Sequence, residues 1–309
     1  MNYKGIIAGL LSGFLWGVTG ILYANLNELY PVTTVISVIL FLLFMVELSS
    51  GLLMGSSIVL LYKRTFRQSI NKKMILLSML LGLIGGPLGM LCYLQAISLI
   101  GVGYAAPISS IYPVFGAILS FIFLKERMAK IGFLGGFITL ACTFILSLNI
   151  QNAEFSLLGI SLALICALSW GSEIVLSSYV MNNISATNAA KFTYLFRQIG
   201  STLGYFILLL SMKVEVKDLI ANFSQIKFDI FILAIILSSM FSYSLYYFAI
   251  DKLQPIKAMM LNITYGVWIV IIGILLGNGS VQLTQVLLIV GILLGAILVL
   301  LGKKEQKEI

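Results

Sequence analysis

Leu157 to Val180 is an almost unbroken apolar run, long enough to cross the roughly 30 Å hydrocarbon core of a bilayer as a helix. Runs of that kind recur along the chain. The apolar periods predict ten spans, at approximately 5–26, 33–62, 74–98, 104–124, 131–149, 157–180, 188–212, 228–250, 256–277 and 281–302. With 309 residues, 60% hydrophobic and only 10% charged, the chain has far more apolar surface than a water-soluble core of its size holds. The expected fold class is therefore an all-α membrane protein. The second expected span carries Glu47 and the Gly51/Gly55 pair and is too long to be straight, so a tilted or broken helix is predicted there. The start, Met1 to Lys4 followed by an apolar run, has no small-residue cleavage site and reads as a retained first span rather than a signal peptide.

The net charge of +8 is explained by topology without a nucleic-acid partner. With the N-terminus in the cytoplasm, Lys4, the links Lys63 to Lys73 and Lys125 to Lys130, Lys191, Lys252, Lys257 and the tail Lys303 to Lys307 share one side. These hold all but four of the 19 basic residues, which places both termini in the cytoplasm of a cell in whose plasma membrane the chain is multi-pass. Cys92, Cys142 and Cys166 lie within apolar runs at spacings that match no disulfide or metal framework, and histidine is absent, so no metal or cofactor is expected. An intramembrane enzyme would need a catalytic constellation that the chain lacks, so no enzymatic role and no catalytic residue is predicted. No Gly-x-x-x-x-Gly-Lys-Ser/Thr loop occurs either, so accumulation of a solute would draw on an ion gradient or a partner protein.

Two halves repeat one design. Setting Trp16 on Trp170 aligns Gly5 with Gly159, Leu10 with Leu164 and Gly17 with Gly171; setting Tyr112 on Tyr265 aligns Ala96-Ile97 with Ala249-Ile250 and Val114 with Val267. The offsets nearly agree. Two five-helix repeats, 1–152 and 153–309, are predicted, and because five is odd the copies are inverted in the membrane. Inverted repeats support alternating access, which favours a transporter over a channel or an enzyme.

Three ionisable residues fall deep in spans: Glu47, Glu173 and Arg197. A charge at that depth costs roughly 2.5 kcal/mol or more on insertion scales, so such residues mark a substrate or ion path. Arg197 either pairs with Glu47, at the equivalent place in the other repeat, or with Glu173. The first pairing leaves Glu173 to be balanced by a cation or a proton; the second favours a zwitterionic or anionic substrate. Trp170 and Glu173, three apart, share a helix face. Ring faces hold a quaternary ammonium at about 0.5–2 kcal/mol each. Trp16, Trp170, Tyr112, Tyr265 and Glu173 are therefore the candidate binding residues, with Tyr93, Gln95, Tyr194, Gln198, Asn262 and Trp268 in a second rank. Glu173, Glu47 and Arg197 are the candidates for coupling or gating. The link Lys213 to Asp229 reads as a surface connection that can double as a lid.

The motif Ala106-Pro107-Ile108-Ser109-Ser110-Ile111-Tyr112-Pro113, with Lys125-Glu126 closing the fourth span, resembles the drug/metabolite transporter superfamily of the EamA type over nearly the whole chain. The second half keeps Tyr265 but has Gly266 for the proline and Gly277-Asn278 for the Lys-Glu pair. Within that superfamily, Ser169 to Ser178 and Leu195-Phe196-Arg197-Gln198 resemble the corresponding segments of bacterial choline permeases. The resemblance implies proton-linked uptake of choline. The wider superfamily also contains exporters of amino acids and other metabolites.

Overall fold

The computed structural model describes residues 2–29, 36–62, 72–100, 102–147, 156–184, 188–212, 217, 221, 230–276 and 283–302. Among these residues all regular structure is helical. The reason is the solvent: in hydrocarbon every backbone N–H and C=O has to be satisfied within the protein, and a helix does this locally. The first six helices are α1 (Tyr3–Leu29), α2 (Ile36–Leu61), α3 (Lys72–Ile100), α4 (Val102–Ser109), α5 (Tyr112–Leu124) and α6 (Lys130–Ser147). Six more follow: α7 (Leu157–Asn182), α8 (Ala189–Ser211), α9 (Ile230–Leu253), α10 (Pro255–Asn262), α11 (Tyr265–Leu275) and α12 (Leu283–Leu301).

Among the described residues, seven segments are long and apolar enough to cross a membrane: α1, α2, α3, α7, α9, α10 with α11, and α12. This count falls short of the ten expected. Helices α5 and α6 are apolar but shorter, and α8 has the length but carries Lys191, Arg197 and Gln198. Large apolar side chains stand out along the outer faces, Phe137 at 72% and Leu60 at 81% exposure among them. A water-soluble fold does not leave such a surface uncovered, so the chain is a multi-pass membrane protein.

Helix α1 packs along α9, α10 and α11; α8 packs on α2 and α3; α7 takes α3 and α5; and α6 pairs with α12. Without a hydrophobic drive between helices in lipid, close approach is the source of cohesion. It is tightest between α3 and α8, where a Cβ on Gly82 would overlap the Arg197 carbonyl and one on Gly200 would overlap the Met79 backbone. Buried hydroxyls add crosslinks. Thr19 Oγ1 and Ser238 Oγ are 2.8 Å apart between α1 and α9, and Ser242 Oγ donates to the Ser12 carbonyl at 2.8 Å. The start of α1 touches the end of α9, since a Cβ on Gly5 would meet Lys252 and Leu253, and Lys191 Nζ at the start of α8 donates to Tyr62 Oη beyond the end of α2 at 2.8 Å. Lys4 and Lys252 therefore lie at one end of the bundle.

Four of the expected spans depart from the expected shapes. Helix α2 is continuous from Ile36 to Leu61, not broken at its glycines; Gly51 and Gly55 instead admit Gln198 and Leu195 of α8 alongside. The irregular turn sits in α3, where Ile84–Leu88 forms a π-turn around Pro87, which has no N–H to donate. The segments expected at 104–124 and 256–277 each stop and restart. Helix α4 gives way to α5 through N–H bonds from Ile111 to the Ile108 carbonyl and from Val114 to the Ile111 carbonyl; 153 residues on, Thr264 bonds to Leu261 and Val267 to Thr264 in the same pattern. Such i to i+3 bonds tighten a helix end. The link 63–71, nearly all of the link from Lys213 to Asp229, the Gly277-Asn278 pair and the tail from Lys303 lie outside the described residues.

Candidate functional site

The broken helices, the π-turn and the middles of α1, α2, α7, α8 and α9 converge on one cavity of about 950 Å³. Its charged lining consists, among the described residues, of Glu47, Glu173 and Arg197. All three form one cluster. Arg197 Nε donates to Glu173 Oε1 at 2.8 Å and Arg197 Nη1 to Glu47 Oε1 at 2.5 Å, so the guanidinium serves both carboxylates and the either-or pairing drawn from the sequence is corrected. Nη1 also reaches Gln198 Oε1 at 2.6 Å, and the guanidinium carbon lies 4.7 Å from the Tyr243 ring centre. Arg197 is only 1% exposed. A buried cation without such partners would be prohibitive, and this one has two anions, an amide oxygen and a ring face. The cluster's formal charge is minus one when all three groups are ionised.

Glu173 is fixed from several directions. Its Oε1 also accepts from Tyr247 Oη at 3.0 Å, and Tyr247 Oη lies 3.1 Å from Ser177 Oγ. A Cβ at Gly85 would fall on its carboxylate, so the α3 π-turn presses bare backbone against the acid. The same glycine orients Trp170. With the turn irregular, the Gly85 carbonyl is free to accept Trp170 Nε1 at 3.0 Å, leaving the indole at the cavity wall.

Aromatic rings dominate the remaining lining: Trp16 and Trp170 with Tyr23, Tyr93, Tyr112, Tyr194, Tyr205, Tyr243, Tyr246 and Tyr265. Trp170 lies 5.7 Å from Tyr93 and edge-on to Tyr112 at 6.3 Å; Trp16 stands edge-on to Tyr243 at 5.5 Å. At the two helix breaks, Tyr112 Oη donates to Asn262 Oδ1 at 3.3 Å, and Asn262 Nδ2 donates to Ser12 Oγ at 2.7 Å. One amide thus links the broken helices to α1.

The cavity brings together Trp16, Trp170, Tyr112, Tyr265, Glu173, Glu47 and Arg197, and from the second rank Tyr93, Tyr194, Gln198 and Asn262. Two candidates lie elsewhere. Gln95 is exposed on the outer face of α3, and Trp268 packs edge-on against Phe14 at 5.3 Å without lining the cavity. Sequence reasoning missed Tyr243 and Tyr246. Their signal was present in the spacing of Tyr243, Tyr246 and Tyr247, three and four residues apart, which puts three rings on one side of α9.

Comparison with known proteins places this geometry in a family. The EamA-like transporter family matches residues 3–148 and 157–301. Protein LicB of Haemophilus influenzae is 35% identical over 98% of this chain and 100% of its own length. Riboflavin transporter ImpX of Fusobacterium nucleatum is 26% identical over 63% of this chain and 65% of its own length. A solved crystal structure, 14% identical, superposes with a TM-score of 0.70 over 96% of both chains, a likeness of fold. With nearly its whole length matched, the chain belongs to the EamA-like transporter family.

Proposed function

We propose that the chain is a secondary active transporter of a small organic cation, choline or a close quaternary ammonium compound, driven by proton movement and working by alternating access. The observation that carries the reading is the composition of the cavity: one unbalanced negative charge beside a wall of tryptophan and tyrosine rings. A quaternary ammonium offers no N–H, and ring faces with a nearby carboxylate are what recognise it. Trp16, Trp170, Tyr112 and Tyr265 are the cage, Glu173 its anionic member, and Tyr93, Tyr194, Gln198 and Asn262 hold it in shape. The two segments that resemble choline permeases are the ones that supply Trp170, Glu173, Arg197 and Gln198. Uptake as the direction comes from that resemblance.

The double pairing of Arg197 bears on the substrate's sign. Nε and Nη1 are taken by the two carboxylates and Gln198, and one face by Tyr243, so a substrate carboxylate would have Nη2 alone and would meet two acids already in place. This favours a cation over an anion or a zwitterion. A proton or the substrate balances the remaining charge.

Alternating access is supported by the two-repeat reading, with ten spans divided at 152/153, inverted copies, and both termini in the cytoplasm of a bacterium. The family matches begin at residues 3 and 157, 154 apart, and the helix breaks recur 153 apart. Both intervals agree with the offsets of the aligned tryptophans and tyrosines.

A second reading has one observation in its favour. The cavity volume is near the upper end of small-molecule sites, more than a small cation fills, and a relative is named for riboflavin. That reading is a transporter of a larger metabolite. Flux into proteoliposomes decides: choline uptake stimulated by an imposed pH gradient supports the first, whereas riboflavin or amino-acid flux with no choline flux overturns it.

A further inference from the structure

The two carboxylates that share Arg197 are held differently. Glu173 is 2% exposed, and its Oε1 takes two donors, Arg197 Nε and the Tyr247 hydroxyl. A proton placed on Glu173 would disturb both bonds, each of which depends on an ionised acceptor for much of its strength. Glu47 is 12% exposed and accepts from Arg197 through Oε1 alone; its Oε2 is buried without a partner in bonding geometry.

The surroundings of that second oxygen are unusual. The hydroxyls of Tyr23 on α1, Ser50 on α2 and Tyr194 on α8 are likewise buried without partners in bonding geometry, and all three residues line the cavity with Glu47. Tyr23 and Tyr194 lie within electrostatic reach of the Glu47 carboxylate, Ser201 Oγ stands beside it, and Ser50 stands beside Tyr194. Leaving a polar group buried and unpaired costs about 1–3 kcal/mol, so several orphans around one acid mark a place where something both donates and accepts. The charged and titratable groups packed around Glu47 are Tyr23 from α1, Glu173 from α7, Tyr194, Arg197 and Tyr205 from α8, and Tyr243 from α9. Arg197 is the cation in that set. It repels a metal ion brought to Glu47, but a proton bonds covalently to Oε2 and can then donate to a neighbouring hydroxyl.

We infer that Glu47 Oε2, which shares its stretch of the cavity with the unpartnered hydroxyls of Tyr23, Ser50 and Tyr194, is the binding site of the coupling proton, and that Glu173 is not. This deepens the transport reading, on which its purpose rests, but the site exists without any substrate. The charge balances: O–H forms at Glu47 when the proton enters from water and breaks when it leaves, and the cluster goes between minus one and neutral.

Infrared difference spectroscopy of the full chain in lipid nanodiscs, titrated with acid and without substrate, tests the site. The expected result is a protonated-carboxyl band in the wild type that is lost in Glu47→Gln, whose midpoint moves in Tyr23→Phe and Ser50→Ala and stays in place in Tyr247→Phe. Sodium leaves it unmoved. The inference is overturned if the band survives Glu47→Gln, if Tyr247→Phe moves it and the hydroxyl variants do not, if no such band exists, or if sodium displaces it. The hydroxyl variants keep the test decisive should Glu47→Gln fold poorly. Failure of choline to move in flux assays would remove the substrate reading and leave this result standing.

Discussion

At the residue scale the decisive feature is that one guanidinium serves two acids. Sequence made Glu47, Glu173 and Arg197 visible because charges in apolar runs are rare, but distance is not written in a sequence, and the choice between partners turned out to be no choice. Removing the shared cation strands both anions. Arg197→Leu is expected to destabilise the protein by about 3–5 kcal/mol, read as a large fall in thermal midpoint in detergent, while Glu173→Gln, which still accepts from Arg197 and Tyr247, costs far less. Trp170 was legible from its helix and its neighbour Glu173. Its hydrogen bond to Gly85 was not, because that acceptor is exposed by an irregular turn in another helix. Trp170→Ala and Trp16→Ala should each weaken choline binding by about 2- to 30-fold, the worth of one ring face, with little change in fold. Equal affinity in both variants would remove the cage.

At the element scale, apolar length found the helices, and their breaks needed the structure. Pro113 signals the restart at α5, yet α11 restarts in the same hydrogen-bond pattern with Gly266 where a second proline would stand. The break therefore follows from packing as well as from proline, with Asn262 tied to Tyr112 and Ser12 across it. The glycines of α2 were read as marking a tilt or a break and act as a close-approach face for α8, a distinction that depends on a neighbour far along the chain. The π-turn in α3 gives a sharp test. Gly85→Ala would drive a methyl into the Glu173 carboxylate and is expected to abolish cation binding, whereas Gly273→Ala on α11, with open space where its Cβ would go, is expected to bind as the wild type does. Similar behaviour of the two variants in a binding assay would contradict the described wall of the site.

At the scale of the whole molecule, membrane residence was plain from composition, and family membership is shown by the match across both halves. The number of crossings is harder, because helix α8 trades hydropathy for the polar residues the interior needs, while α5 and α6 are apolar but short. Ten crossings place Lys4, Lys125 and Lys252 on the cytoplasmic side. An impermeant amine reagent should then label all three in inverted vesicles and none in right-side-out cells; labelling of Lys125 from outside would refute that topology.

Whether a cation is held by rings and an unbalanced carboxylate is decided by calorimetric titration of the purified protein with choline, beside betaine, lysine, a polyamine and riboflavin, in wild type and Glu173→Gln. Choline is expected to bind the wild type, the others to bind weakly or not at all, and the variant to lose the interaction. Equal binding by the variant, or riboflavin binding in place of choline, would contradict the cage.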